Sequence, residues 1–239
     1  MQRPSAARRL GGGAVDRRVA VGGLVLAAIA LVSTAASARA PLPAVLVRDP
    51  AAARDLVALM RAGEQGRWIV RYDFARTLAD GRVLRQRASE GRSSSWHVVI
   101  TATAMTLERG ARSYVCDLVG NQSECKKTSG AAALPESEVV RVAVAAGAYN
   151  VVRRPDATIA GLPARCFRMR ATGQGSLPDF GVETDRCLTE SGIPLRLIVV
   201  RPPGNVDEQV ATSVRPGASA ALVQALAASF APEPAGSER

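Results

Sequence analysis

A single histidine, His97, stands in the 239 residues. Any Ser-His or Cys-His catalysis would have to run through it, and a histidine-based metal cluster has no second ligand of that type. Trp96 and Val98 occupy the other side of the same alternating run, so His97 reads as a hydrogen-bonded surface or core side chain. The four cysteines are Cys116, Cys125, Cys166 and Cys187. Their spacing does not fit zinc, no histidine lies near them, and no C-x-x-C redox pair is present. A G-x-S-x-G elbow, a P-loop and a dinucleotide fingerprint are all missing. Asp73, Glu108, Glu183 and Asp185 fall in strand-like runs and could pair for glycosidic chemistry, but solvation or salt bridging accounts for them more simply. The residues therefore assign no catalytic group, no metal and no cofactor.

What the cysteines offer is covalent staples. An even number in an oxidising compartment implies two bridges, and four cysteines allow three connectivities. Geometry favours one. A two-residue turn at Gly120-Asn121 sets Val119 opposite Gln122, Leu118 opposite Ser123, Asp117 opposite Glu124 and Cys116 opposite Cys125. In a non-hydrogen-bonded pair the facing Cα atoms lie about 4.5 Å apart, within disulfide reach. Cys166 and Cys187 then enclose the turn-rich stretch from Gly173 to Asp179 between two strand-like runs. Asn121-Gln122-Ser123 matches a glycosylation acceptor on that first turn and is a coincidence in a bacterial secretion setting.

The apolar alternation carries more information. Trp68, Val70, Tyr72 and Phe74 share one side of a strand, and Trp96, Val98 and Ile100 share one side of another. Taken together they predict an aromatic-rich sheet face. Such a face is either the core beneath a helix or a concave surface with room for an acyl chain.

The elements that must position these residues follow in order. Asp49-Pro50 caps a helix with its apolar stripe at Ala53, Leu56, Val57 and Met60, ending at Gly63. Period-two strands start near residue 67, turn at Asp80-Gly81, and continue over 82–89, 95–101, 105–107 and 112–118 into the disulfide hairpin. A second helix is predicted over 136–147, with Val139, Val142, Ala143 and Ala146 on one stripe. A second meander follows over 157–159, 164–171, 181–189, 193–201 and 206–214, then a short helix over 218–230. The fold class is α+β, mainly antiparallel β: one curved half-barrel sheet continued across an inserted mid-chain helix, with N-terminal and short C-terminal helices and two disulfides.

Apolar residues make up 47% and charged residues 22%, ordinary for a globular chain. The net charge is +10, almost all from arginine, since Lys126 and Lys127 are the only lysines. A GC-rich codon bias explains the arginine and alanine excess; the functional alternative is a basic surface that meets an anionic membrane or an acidic polymer. Nucleic acid is excluded as a partner, because no binding module is present and aromatics are only 4%.

Five arginines and one aspartate lie in the first 38 residues, ahead of an apolar stretch over 19–32 and the small-residue site Ala36-Ser37-Ala38. That is a secretory signal with cleavage after Ala38. An uncut anchor over residues 19–38 is the other reading, since 20 residues can cross a bilayer. Either way the rest is exported, secreted or held at the outer face of the cytoplasmic membrane. Residues 39–48 read as a linker, 49–231 as one domain and 232–239 as a disordered tail.

The stretch Gly161-Leu162-Pro163-Ala164-Arg165-Cys166-Phe167, with Cys187-Leu188 and Gly192-Ile193-Pro194-Leu195, resembles a pattern of actinobacterial secreted proteins. With the helix–meander–helix–meander order, it is similar to LolA-like half-barrels and to mycobacterial envelope lipid carriers of the LprG and LppX type. The resemblance implies a non-catalytic envelope module that holds a lipid or acylated ligand on the concave face, at Trp68, Val70, Tyr72, Phe74, Trp96, Val98 and Ile100. Those carriers are lipidated at a cysteine that this chain lacks after its leader, so tethering would fall to an uncut leader. The alternative is a structural or interaction protein of the envelope, with a filled core and a basic partner-binding surface.

Overall fold

A computed structural model describes residues 49–110, 112–118, 124–128, 134–173, 177 and 180–229, all within the compact unit Pro43–Arg239. The leader, the 39–48 linker, the Gly120-Asn121 turn, the Asn121 glycosylation motif and the 232–239 tail lie outside the described residues.

The chain opens with α1 (Pro50–Gln65), whose Asp49 cap accepts the Ala52 N–H at 2.9 Å. The strands β1 (Trp68–Thr77), β2 (Val83–Arg92), β3 (Trp96–Ile100), β4 (Ala104–Arg109), β5 (Arg112–Asp117) and β6 (Glu124–Lys127) follow. After α2 (Glu136–Ala145) come β7 (Tyr149–Ile159), β8 (Leu162–Ala171), β9 (Glu183–Leu188), β10 (Pro194–Arg201) and β11 (Asn205–Pro216), then α3 (Ala220–Ala228). The described strands make one antiparallel, open, curved sheet in the order β6-β5-β4-β3-β2-β1-β11-β10-β9-β8-β7. The two meanders join where the first strand pairs with the last, from Trp68 opposite Pro216 to Thr77 opposite Val206. Curvature brings β7 back against β11 across three intervening strands. No described helix is long and apolar enough to cross a membrane.

Both bridges form within neighbouring strands. Cys116 faces Cys125 across β5 and β6, and Cys166 faces Cys187 across β8 and β9, with Cα separations of 3.9 and 4.1 Å.

Four local expectations change. Helix α1 does not stop at Gly63 but continues to Gln65. Gly63 is there because the Gly192 turn lies directly against it: a Cβ on Gly63 would meet the Gly192 carbonyl. Strand β2 runs on through Gly91 to Arg92, because Gly91 leaves room for Val223 and Leu226 of α3 on the sheet. On α2 the buried stripe is Ser137, Val140 and Ala143, and Val142 is exposed. Glu64 of α1 fixes that rotation by accepting from the Ser137 N–H at 2.7 Å and its hydroxyl at 2.5 Å. Strand β7 starts at Tyr149, eight residues before the predicted start at residue 157. Pro155 masks the pattern, since the β7–β8 register slips between Arg154 and Ala157 around it.

Three apolar clusters result. One lies between α1, α2 and the β7–β9 end, around Leu56, Met60, Val140, Phe167 and Met169. A second holds Trp68, Val70, Tyr72, the Cys166–Cys187 bridge, Leu195 and Ala211. A third lies under α3, around Val98, Ile100, Met105, Cys116 and Val223.

Candidate functional site

The register divides the predicted aromatic face in two. Ile69 aligns with Gly91 and Val98, whereas Val70 aligns with Glu90 and Val99. Directly facing residues of a ladder point to the same side. Trp68, Val70, Tyr72 and Phe74 therefore lie on one face, and Trp96, Val98 and Ile100 lie on the other, beneath α3. A strand's parity relative to its neighbour is set by where the turn falls, and β2 extends three residues further than its sequence pattern.

The first group is packed shut. Trp68 is 2% exposed, Val70 0% and Tyr72 3%, while Phe74 is half-buried at the edge of the same cluster. The Trp68 indole N–H donates to the Gly63 carbonyl at 2.9 Å, which ties the sheet to α1. In the second group Val98 and Ile100 are buried, and Trp96 lies under the Arg109 guanidinium at 4.9 Å.

Beside Trp68 and Tyr72 opens a small polar cleft of about 120 Å³, roofed by Met60, Gly63 and Glu64 of α1. The Tyr72 hydroxyl lies 3.1 Å from the Pro194 carbonyl and 3.3 Å from Glu90 Oε2. Glu90 Oε1 meets His97 Nε2 at 2.9 Å, and His97 Nδ1 meets Glu108 Oε2 at 3.1 Å. Burial works against a charged His97, but hydrogen bonds to Glu108 and Glu90 outweigh it and lift the imidazole to about 9. The hydrogen bond from His97 holds the Glu108 carboxyl below its usual range. Burial, then Glu90, pushes the Tyr72 phenol well above its ordinary value. With both ring nitrogens engaged, His97 is a protonated strut between two strands and is not poised as a general base.

Across the cleft, Arg186 of β9 reaches Glu136 at the start of α2 through two hydrogen bonds of 2.8 and 2.5 Å. The Arg186 side chain is 8% exposed and that of Glu136 47%, so the pair spans from the interior to the cleft mouth. Desolvation alone would raise the Glu136 carboxyl; the adjoining guanidinium holds it below the carboxylate range. The sequence reading missed Arg186, since an arginine at an inward strand position has no pattern that marks it as buried before the register is known.

The four strand carboxylates do not converge. Arg168 holds Asp185 through two hydrogen bonds, Arg170 holds Glu183 at 2.5 Å, and Glu108 is bound to His97. Asp73 lies apart, in a shallow groove of about 360 Å³ with Phe74, Ala75, Arg85, Gln86, Arg87, Glu208 and Val210. That groove adjoins an unusual stretch of β2. Residues 83–88 pair with β1 on one side, while β3 covers only Ser89 to Arg92 on the other. Among the described residues the second edge of 83–88 has no strand beside it, and Val83 and Leu84 there are 47% and 56% exposed.

No family model matches the chain, and no curated protein matches it either. Among solved structures it is similar to a chain of the Pseudomonas aeruginosa MucA/MucB complex, at 17% identity and a TM-score of 0.49, over 73% of this chain and 60% of that one. A crystal structure of MucB matches at 16% identity and a TM-score of 0.47, over 80% and 64%. A LolA superfamily protein from Nitrosomonas europaea matches at 9% identity and a TM-score of 0.33, over 76% and 98%. The chain thus spans less than two thirds of the length of either MucA/MucB-type match.

Proposed function

We propose that the chain is an exported, non-catalytic interaction module of the cell envelope, and that its partner is an extended acidic segment of another protein added at the open edge of β2. The observation that carries this reading is the half-paired stretch 83–88, with adjacent exposed Val83 and Leu84. An unpaired strand edge offers a row of main-chain donors and acceptors to an incoming strand. Arg71, Arg85 and Arg87 are exposed beside it and have no ion pair among the described residues, which suits an acidic partner. Two disulfides and the leader support a site of action outside the cytoplasm.

The filled face favours this over an apolar ligand. An acyl chain at Trp68, Val70 and Tyr72 would have to displace side chains that already pack on Leu195 and Ala211. The adjoining cleft, at about 120 Å³ and lined by charges, is well below the roughly 300–1,000 Å³ of ligand pockets.

Site-specific photo-crosslinking tests the reading. A photoreactive residue at position 84 in the native envelope should give a discrete protein adduct that a probe at the exposed Val182 does not give. Charge reversal by Arg85→Glu with Arg87→Glu should abolish it. Identical adducts from both positions, or indifference to the reversal, would count against the β2 edge.

A further inference from the structure

The open edge of β2 has a parity. At one end the Arg82 carbonyl accepts the Leu78 N–H at 2.8 Å, so the main chain at residue 82 faces β1. At the other end the Ser93 N–H donates to the Trp96 carbonyl at 2.7 Å, so the main chain at residue 93 faces β3. Main-chain groups alternate in direction along a strand, and the β1–β2 register runs without a slip. Both ends therefore agree over 83–88. Leu84, Gln86 and Ala88 turn their N–H and C=O to β1, while Val83, Arg85 and Arg87 turn theirs to the open edge.

The side chains of the edge-facing residues share one face, because alternate positions of a strand do. Arg85 stands opposite Ala75, and Arg87 opposite Asp73. Glu208, on the far side of Ala75, is held by Arg196 at 3.0 Å. With Arg71, this face carries four arginines against two carboxylates over the stretch. The other face carries Leu84, Gln86 and Ala88. A strand that bonds to 83, 85 and 87 sets its facing residues on the arginine side and the residue opposite Leu84 on the other. Opposite charges facing each other across a ladder stabilise it, and like charges weaken it. A second copy paired over these residues would set Arg85 against Arg85 or Arg87, so the edge disfavours itself and favours an acidic strand.

We propose that the edge reads an ordered pattern in its partner: acid, any residue, acid, then two apolar residues, running antiparallel to β2. The two acids face Arg87 and Arg85, and the apolar pair faces Leu84 and Val83. Antiparallel pairing lets Val83, Arg85 and Arg87 each exchange both main-chain hydrogen bonds with one facing residue. It is also how every described strand pair of the sheet is built. This inference rests on the β2 reading and narrows its acidic partner to a sequence and a direction.

Solvent exchange of individual backbone amides, followed by NMR, tests it. Three end-blocked peptides serve as probes: Asp-Thr-Glu-Val-Ile flanked by threonines, its reversed sequence, and a form with lysine in place of both acids. The first peptide should slow exchange at least tenfold at Val83, Arg85 and Arg87 and leave Leu84 and Gln86, which bond to β1, unchanged. The reversed and lysine peptides should bind at least tenfold more weakly. In the Arg85→Glu, Arg87→Glu double variant the lysine peptide should become the tighter binder, a gain that loss of fold cannot produce. Equal slowing by the forward and reversed peptides, or by the acidic and lysine peptides, overturns the inference and leaves the β2 edge standing as an interface. So does a crosslink at position 84 that persists while no peptide slows these amides. Loss of the crosslink and of the slowing together overturns both.

Discussion

Gly63 of α1 and Gly192 of the β9–β10 turn lie backbone against backbone. A Cβ on Gly63 would run into the Gly192 carbonyl, and a Cβ on Gly192 would run into the Leu59 carbonyl and the Gly63 amide. Gly192 also has φ +79°, a conformation that other residues adopt only under strain. The contact clamps α1 onto the sheet and sets the depth of the cleft whose wall is Trp68. Gly192→Ala should therefore cost about 3 kcal/mol or more, the strain of the backbone adding to the overlap. Gly63→Ala should cost less, since its backbone is helical. Chemical denaturation of the two variants checks both magnitude and order.

The pH dependence of stability follows from His97. Its folded value of about 9 lies above the ordinary 6.5, so its contribution is fully present below about pH 6.5 and is lost as pH rises through about 9. The amount at stake is about 3 kcal/mol. Glu108, held below its usual value, acts in the other direction: its contribution is present above about pH 4.5 and is lost as pH falls. Urea denaturation at pH 6.5, 8 and 9.5 should show a decline that His97→Gln removes.

The two disulfides should not be equal. Cys166 and Cys187 are 5% and 4% exposed in the cluster with Trp68 and Leu195, whereas Cys125 is exposed on edge strand β6. Replacing both members of the first bridge by alanine should cost about 4 kcal/mol, from lost packing as well as a freer unfolded chain. The second should cost about 2 kcal/mol. Thermal denaturation of each double variant gives the comparison.

Gly91 predicts a graded response. Its Cβ position lies 3.2 Å from the Leu226 side-chain tip and 3.4 Å from Ile69 and Val223. Gly91→Ala meets a flexible tip and should be tolerated, while Gly91→Leu should lift α3 from the sheet. Trp96, packed in that cluster, would then emit at longer wavelength while the shielded Trp68 would not change.

These same residues show what the sequence alone could tell. The Asp49-Pro50 cap, the alternation from Trp68 to Phe74 and the Cys116–Cys125 register are local signals, and each appears in the fold as read. That Trp68 and Trp96 lie on opposite faces was not legible. It depends on where the β2–β3 turn begins, and Gly91 looks like a turn residue until α3 is seen against it. The Arg186–Glu136 pair joins positions 50 residues apart, and nothing near either one announces the other. The open edge of β2 was hidden for a similar reason: it exists only because β3 is half the length of its neighbour.

The filled sheet face is the claim on which the functional account turns. An organic extract of protein purified under native conditions, read by mass spectrometry against protein content, tests it most directly. The account predicts no lipid above background. One acyl-bearing molecule per chain, retained through purification, would contradict it.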